Sequence, residues 1–329
     1  MKKIKYNNMR KLILTICVAV ALLGCTKEPN PVAPSVPGAI SFDSVDTRAD
    51  KSDLEEDGFG VWAVYVNEAQ PAGYWLLDNE KVYLKNGFWT YDNTQLWVNN
   101  SVFGFFACYP QDAGFVKDEE NFSVTMTYET PDAANEDILV ATTFVDTRTA
   151  GYNETVPLTF KHLFTKINIR VKQNKGTNER DNFIIDKITL RNVKTKGTCK
   201  AFQGVDVVWE YPENASTKTF TKEIEGDNII DFETGIMLSG EGLLLLPQTI
   251  AANSIELEVA FRVGLEGNTD ISTFESKTYK AYLPNTVNWE SGKSYIYTAQ
   301  VSTYNPIVFL PPMVESWGGS QSGGTIIIK

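Results

Sequence analysis

The sequence contains few of the residues that catalytic and metal sites use. It has one histidine, His162, four cysteines, and neither a His-Glu-x-x-His nor a Cys-x-x-Cys motif. A lone histidine cannot form a His-rich zinc site, and no nucleophile with a suitably spaced base accompanies it. We therefore expect no enzymatic activity, no catalytic residue, no metal and no cofactor. His162 is interpreted as a hydrogen-bonded packing residue at a domain junction.

Amphipathic helix periodicity is missing as well. No useful window has apolar residues at i, i+3, i+4 and i+7, whereas alternating stretches recur between turn signals. Asn86-Gly87 is a strong hairpin signal, and residues 103–109, apolar on both faces, should lie inside a sheet. Strands are predicted at residues 40–45, 59–66, 82–84, 88–91, 103–109, 138–142, 156–160, 163–171, 183–190, 219–224, 243–246, 255–263, 295–301, 307–310 and 325–328. The pattern predicts an all-β protein with two β-sandwiches and a boundary near residues 154–162, while the polar residues 47–52 are predicted to form a loop.

Cysteines and positive charges are both sparse beyond the first residues. After Cys25 only Cys108 and Cys199 remain, and we expect two buried thiols in separate domains rather than a disulfide scaffold. Removing residues 1–24 takes away five positive charges and no negative one, so the formal net charge moves from −11 to −16. An acidic surface of this size argues against nucleic acid as a partner.

The first 24 residues have the features of a removable export signal. A positively charged start precedes an apolar run that is too short to span a bilayer stably. Leu22-Leu23-Gly24-Cys25 resembles the bacterial lipobox, whose cysteine is acylated and becomes the mature N-terminus. The alternative is an ordinary secretory signal with a chance cysteine. Residues 26–38 carry four prolines, which is typical of an extended tether.

Several residue groups, taken in order along the chain, resemble the fimbrillin family, the lipoprotein-derived subunits of type V pili in Bacteroidales. They are the lipobox at Cys25, Ile40-Ser41-Phe42, Thr47-Arg48-Ala49, and residues 103–110, 156–163, 245–248 and 289–297. The resemblance implies two transthyretin-like antiparallel β-sandwich domains in tandem. The expected divisions are a signal peptide at residues 1–24, a lipidated tether with the first strand at 25–48, and domains at 49–158 and 159–329.

The family resemblance also implies a route of assembly. A protease would cut between Arg48 and Ala49, remove the first strand, and leave a groove that a strand of a neighbouring pilin subunit fills. The donor candidates are Ile307, Val308, Phe309, Ile326, Ile327 and Ile328, and the sequence leaves open which of them would move. Lipid on Cys25 would hold the subunit on the outer membrane until the cut. Alternatively, Arg48 is an ordinary loop arginine, as Arg148 is.

Other functions remain open from sequence. Within the same family, the chain could be a tip subunit without a donor strand or an anchor subunit that keeps its lipid. From another class, it could be a monomeric outer-membrane lipoprotein that binds glycans through exposed tryptophans. A hydrolase with paired carboxylates is the third alternative. Ligands on host or bacterial surfaces are left open.

Overall fold

A computed structural model describes residues 38–47, 51–131, 136–148, 154–174, 181–202, 206–230, 233–317 and 326–327. These residues form 23 strands, one α-helix and one short 3₁₀ turn, so the prediction of an all-β protein is confirmed. The helix is α1 (Lys51–Asp57), and the 3₁₀ turn is Ile271–Thr273. The strands are β1 (Phe42–Thr47), β2 (Phe59–Val66), β3 (Tyr74–Lys85), β4 (Phe88–Thr90), β5 (Val102–Tyr109), β6 (Val116–Asp118), β7 (Ser123–Glu129), β8 (Leu139–Asp146), β9 (Val156–His162), β10 (Thr165–Gln173), β11 (Asn182–Lys194), β12 (Lys196–Phe202), β13 (Val208–Glu210), β14 (Thr217–Glu223), β15 (Ile229–Ile230), β16 (Ile236–Met237), β17 (Leu243–Leu245), β18 (Glu256–Gly264), β19 (Glu275–Tyr282), β20 (Lys293–Val301), β21 (Val308–Phe309), β22 (Met313–Ser316) and β23 (Ile326–Ile327).

The first half of the chain closes into a barrel with the strand order β1-β4-β3-β2-β5-β8-β9. Neighbouring strands are antiparallel except β1 and β9, which run parallel. As predicted, β5 is buried on both faces, between β2 and β8. The hairpin between β3 and β4 also forms as predicted. Asn86 (φ 54°) and Gly87 (φ 81°) both adopt the left-handed conformation that a tight two-residue turn requires.

The second half forms two sheets that share an apolar core. One has the order β16-β10-β20-β22-β23, with β17 beside β10 and β21 beside β20. The other has the order β14-β11-β18-β19, with β15 beside β11. Side chains such as Ile169 on β10, Phe183 on β11 and Tyr297 on β20 belong to one buried cluster between them. This arrangement matches the sandwich that period-two alternation predicts.

A further sheet joins strands from the two halves of the sequence, in the order β13-β12-β7-β6. β7 and β12 pair antiparallel along seven residues, from Lys196 opposite Glu129 to Phe202 opposite Ser123. This sheet covers an apolar cluster that contains both Cys108 and Cys199. Both are buried free thiols, as predicted, although their sequence separation suggested separate domains. The domain division at residues 158 and 159 stays a prediction.

The structure differs from the sequence prediction in one helix and in several strands. Residues 51 and 52 were predicted to lie in a loop, but they begin helix α1, whose Leu54 is fully buried. A helix of seven residues is too short to show a clear periodicity, which explains the error. The first strand is β1 at residues 42–47 rather than 40–45, and β3 begins eight residues before the predicted strand at 82–84. The prediction missed eight strands, namely β6, β7, β12, β13, β15, β16, β19 and β22.

Candidate functional site

Strand β1 lies between β4 and β9 and closes the barrel. It pairs with β4 at one position, Phe42 opposite Trp89, and with β9 from Phe42 opposite Val156 to Thr47 opposite Phe160. The register shifts between residues 43 and 46, so the pairing with β9 is interrupted by an irregularity. β1 is therefore held by fewer regular ladder pairs than β5, which pairs with β8 along its whole length and with β2 from Val102 to Cys108.

Backbone hydrogen bonds hold the chain just before β1 in the same place. The Ile40 amide donates to the Gln95 carbonyl (2.8 Å), and the Trp97 amide donates to the Gly38 carbonyl (2.9 Å). On the other side, the Val156 amide donates to the Ser41 carbonyl (2.7 Å). These bonds would all be lost if the segment left, because two of them join it to residues 95–97 and the third joins it to β9.

Two apolar side chains anchor this segment in the barrel core. Ile40 is 1% exposed and Phe42 is 4% exposed. The Phe42 ring contacts Tyr91 at a centroid distance of 5.7 Å and Phe105 at 6.1 Å, both edge to face. The Tyr91 hydroxyl donates to the Ile40 carbonyl (3.0 Å) and accepts from the Gln95 amide (3.1 Å). Burial raises the pKa of Tyr91 above its usual value, because the buried phenolate would lose its hydration.

The barrel core to which Phe42 belongs is apolar, so the removal of β1 would expose an apolar trough. Large buried residues of this core are Tyr91, Trp97, Phe103, Phe105, Leu158 and Phe160. Without β1, the edges of β4 and β9 would present unpaired backbone groups on either side of these side chains. Such an arrangement is chemically suited to binding an extended peptide, since edges supply hydrogen bonds and the trough accepts alternate side chains.

The donor-strand candidates lie in the other half of the protein. Ile307 is 7% exposed, and β21 pairs Val308 with Gln300 and Phe309 with Ala299. The Val308 side chain is 45% exposed, whereas Phe309 packs against the apolar core. These residues belong to the β20 sheet and not to the barrel, so the described chain does not bring them to β1.

The last candidates follow β22. Ile326 pairs with Val314 and Ile327 with Met313, which places β23 at the edge of the same sheet. Ile328 lies outside the described residues.

Cys25, Arg48 and Ala49 also lie outside the described residues. On either side of Arg48 and Ala49 along the chain, β1 ends at Thr47 and α1 begins at Lys51.

Acidic side chains near Lys117 have structural partners. Lys117 forms ion pairs with Asp78 (2.8 Å) and Glu119 (3.2 Å). Asp118 accepts hydrogen bonds from the side chain and backbone of Asn121, which lowers the pKa of its carboxyl. Among the described residues, no group of three or more His, Cys, Asp or Glu side chains could hold a metal ion. None of the helices in the described ranges is long and apolar enough to span a membrane.

The tryptophans do not form an exposed platform. All seven fall within the described residues, and each is buried or half-buried. They are Trp62, Trp75, Trp89, Trp97, Trp209, Trp289 and Trp317. A glycan site of exposed, coplanar indoles therefore finds no support in their placement.

Sequence reasoning identified the first strand but missed the residues that hold it. Tyr91, which bonds to the segment through its hydroxyl, is 51 positions from Ile40. Trp97 and Gln95 lie on an irregular stretch with only an isolated bridge, between Ala39 and Leu96. No local pattern marks such residues, because their role depends on how the barrel closes.

A protein-family model described as fimbrillin-like matches residues 47–317 of the chain. A fimbrial protein from Bacteroides vulgatus is 17% identical, with a TM-score of 0.59, covering 85% of this chain and 99% of that one. A protein from Bacteroides uniformis, provisionally described as a cell adhesion protein, is 17% identical, with a TM-score of 0.46 and coverage of 85% and 99%. The C-terminally truncated tip fimbrial protein Mfa3 from Porphyromonas gingivalis is 11% identical, with a TM-score of 0.39 and coverage of 83% and 98%. No curated protein sequence matches the chain.

Proposed function

This chain belongs to the fimbrillin-like family, and on that premise we propose that it is a structural subunit of a cell-surface fimbria. The subunit is exported as a lipoprotein and polymerises by donor-strand exchange after its first strand is removed. The observation that carries this proposal is the position of β1, which fills the barrel between β4 and β9 and ends at Thr47, one residue before Arg48. A cut after Arg48 would separate this strand from the remainder of the barrel.

The energy available from refilling the groove supports the proposal. Burial of Ile40 and Phe42 stabilises the uncut barrel by about 1.5–3 kcal/mol for each side chain. A donor strand that presents two similar side chains recovers this burial and pairs the edges of β4 and β9 again. Ile307 and Phe309 have the same i, i+2 spacing as Ile40 and Phe42, and the terminal isoleucines offer it too.

The N-terminal segment gives the subunit two successive states. Acyl chains on Cys25 would tether it to the outer membrane, since each buried CH₂ contributes about 0.8 kcal/mol. Cleavage between Arg48 and Ala49 would release the lipid together with β1 and would open the groove in the same step. Its partners are then other pilin subunits, with the outer membrane as a partner only before processing.

The alternatives within the family differ at these same positions. An anchor subunit would keep its lipid and resist cleavage at Arg48. A tip subunit would accept a strand but donate none. A monomeric glycan-binding lipoprotein is less well supported, because the seven tryptophans are buried or half-buried.

The test begins with the lipidated full-length protein and an Arg-specific protease. Intact mass and N-terminal sequencing should show a new terminus at Ala49, and gel filtration should show concentration-dependent oligomers that resist denaturant. Arg48→Gln should block both changes. Arg148→Gln is the matched control, because Arg148 is an exposed arginine beside Asp146 and its loss should leave processing intact. A cleaved product that stays monomeric at high concentration would overturn the donor-strand proposal.

A further inference from the structure

The side chain of Trp317, which directly follows β22, packs where the two halves of the protein meet. Its indole stacks on the imidazole of His162, with centroids 3.7 Å apart and planes inclined by 6°. The Nζ atom of Lys166 lies 5.4 Å from the centroid of the same indole. His162 is the last residue of β9 and Lys166 lies on β10. One indole therefore joins the C-terminal segment to both the barrel and the sandwich.

Backbone hydrogen bonds extend this contact to the connection between the halves. The Trp317 amide donates to the Gly292 carbonyl (2.9 Å), and the Gly292 amide donates to the Phe164 carbonyl (2.9 Å). The Ser291 hydroxyl donates to the carbonyl of Leu163 (2.9 Å). Residues 163 and 164 connect β9 to β10, so the end of β22 is fixed to this connection.

His162 is held from a second direction. It is 4% exposed, and its Nδ1 atom is hydrogen-bonded to the Asp137 carboxylate. Within the described ranges, His162 Nε2 and Asp137 Oδ1 are buried without a hydrogen-bond partner. Buried polar atoms without partners are unfavourable. The contact of His162 with Asp137 and Trp317 thus has a defined geometry, but it is less stable than one in which every buried polar atom is hydrogen-bonded.

Apart from Trp317, the contacts of β22 include the packing of Val314 against the apolar core and the pairing with β20 and β23. Its residues, Met313–Ser316, are half-buried or exposed. It pairs with β20 over four positions, from Lys293 opposite Ser316 to Ile296 opposite Met313. Trp317 is the one aromatic residue in the described stretch 311–317. Its side chain is therefore the largest anchor of this stretch.

We propose that the stack of Trp317 on His162 is a clasp that positions the segment carrying β21 and β22 against β20 and delays its release until assembly. This rests on the proposed function, since it assigns the clasp to the segment from which the donor strand comes. His162 and Trp317 act as positioning residues. The partner that takes up the released segment is the groove of a second copy of this chain.

Amide hydrogen exchange, measured on the chain before Arg-specific cleavage, tests the clasp directly. Trp317→Ala should accelerate amide exchange in β22 about tenfold, which corresponds to about 1.4 kcal/mol. His162→Gln should act in the same direction, because it keeps a donor for Asp137 but removes the stacked ring. Trp317→Phe should give an intermediate rate, and it keeps the test possible if the alanine variant does not fold.

Trp209→Ala is the matched control. Trp209 is a half-buried indole that packs against the same apolar cluster as Trp317. It stacks on Tyr211, but it lies on β13. Its loss should accelerate amide exchange in β13. The exchange rates of the β22 amides should stay within about twofold of the wild-type rates, compared with about tenfold acceleration in Trp317→Ala. Unchanged β22 exchange in Trp317→Ala, or equal acceleration by Trp209→Ala, would overturn the clasp.

Assembly after Arg-specific cleavage separates the two proposals. With a working clasp, processed Trp317→Ala should polymerise with a shorter lag than the processed wild type. Polymer formation at equal rates would refute the clasp and leave strand exchange standing. A processed wild type that never polymerises would refute the proposed function, whereas the exchange of β22 would still report on the clasp.

Discussion

The substitution Phe42→Ala should loosen β1 without cutting the chain. Phe42 is 4% exposed and contacts Tyr91 and Phe105 edge to face. Truncating a buried phenylalanine to alanine costs about 3–5 kcal/mol, and the lower value is taken here as the minimum expected cost. About 3 kcal/mol raises the population of barrels with β1 detached about a hundredfold.

Three amides report this opening individually. The amides of Ile40, Trp97 and Val156 are hydrogen-bonded across the contact between the segment and the barrel. Hydrogen exchange followed by mass spectrometry or NMR should show all three accelerating together, by about a hundredfold, in Phe42→Ala. Amides in the middle of β18, in the other half of the protein, should keep their wild-type rates.

Phe261→Ala is the matched control for lost volume. Phe261 is a fully buried phenylalanine of the other apolar core, in contact with Phe183 and Tyr279. It should destabilise the protein by a similar amount in urea without accelerating the reporter amides of β1. The reasoning is refuted if Phe42→Ala accelerates these amides less than about tenfold. Equal acceleration by the control would also refute it, because opening would then be global.

The remaining predictions concern three local features. Burial raises the pKa of the Cys108 thiol to about 12. The native thiol should therefore resist alkylation at pH 8 and react once urea unfolds the chain, as mass spectrometry can measure. Because the folded pKa is the higher one, Cys108 should also make the free energy of unfolding fall between about pH 9 and pH 12, and Cys108→Ala should flatten this slope. Tyr91→Phe removes the hydrogen bonds of its hydroxyl to Ile40, just before β1, and to Gln95, and should cost about 1–2 kcal/mol in urea unfolding. Tyr83→Phe should cost less than about 0.5 kcal/mol, because the hydroxyl of Tyr83 bonds to Asp92 at the exposed surface. Gly58→Ala should destabilise more than Gly87→Ala, because both have positive φ but only the Cβ at Gly58 meets a carbonyl oxygen, at 2.4 Å; equal melting temperatures would contradict this.

Local signals in the sequence predicted the elements that depend on neighbouring residues. The turn at Asn86-Gly87 follows from the ease with which these two residue types adopt positive φ. The burial of β5 on both faces follows from an uninterrupted apolar run. Helix α1 was missed because seven residues with one buried leucine give too little pattern to distinguish a helix from a polar loop.

The candidate site was predictable only in part. The alternation in residues 40–45 indicated a strand near the proposed processing position, and β1 ends directly before Arg48. The partners of that strand came from distant residues, as in the bond from Tyr91 to Ile40. The interaction of His162 with Asp137 and Trp317 likewise joins residues that no spacing rule relates.

By itself, the sequence determined the all-β class and places where strands turn, and it predicted the export and acylation signals, which stay predictions. These features depend on side-chain alternation, φ preferences and local composition, all of which are properties of adjacent residues. Only the tertiary structure decided that β1 closes the barrel between β4 and β9, that β7 pairs with β12 across the two halves, and that Trp317 meets His162. Strand alternation specifies which face is buried, but many partners satisfy it equally well. The choice among them is made by the packing of the whole chain.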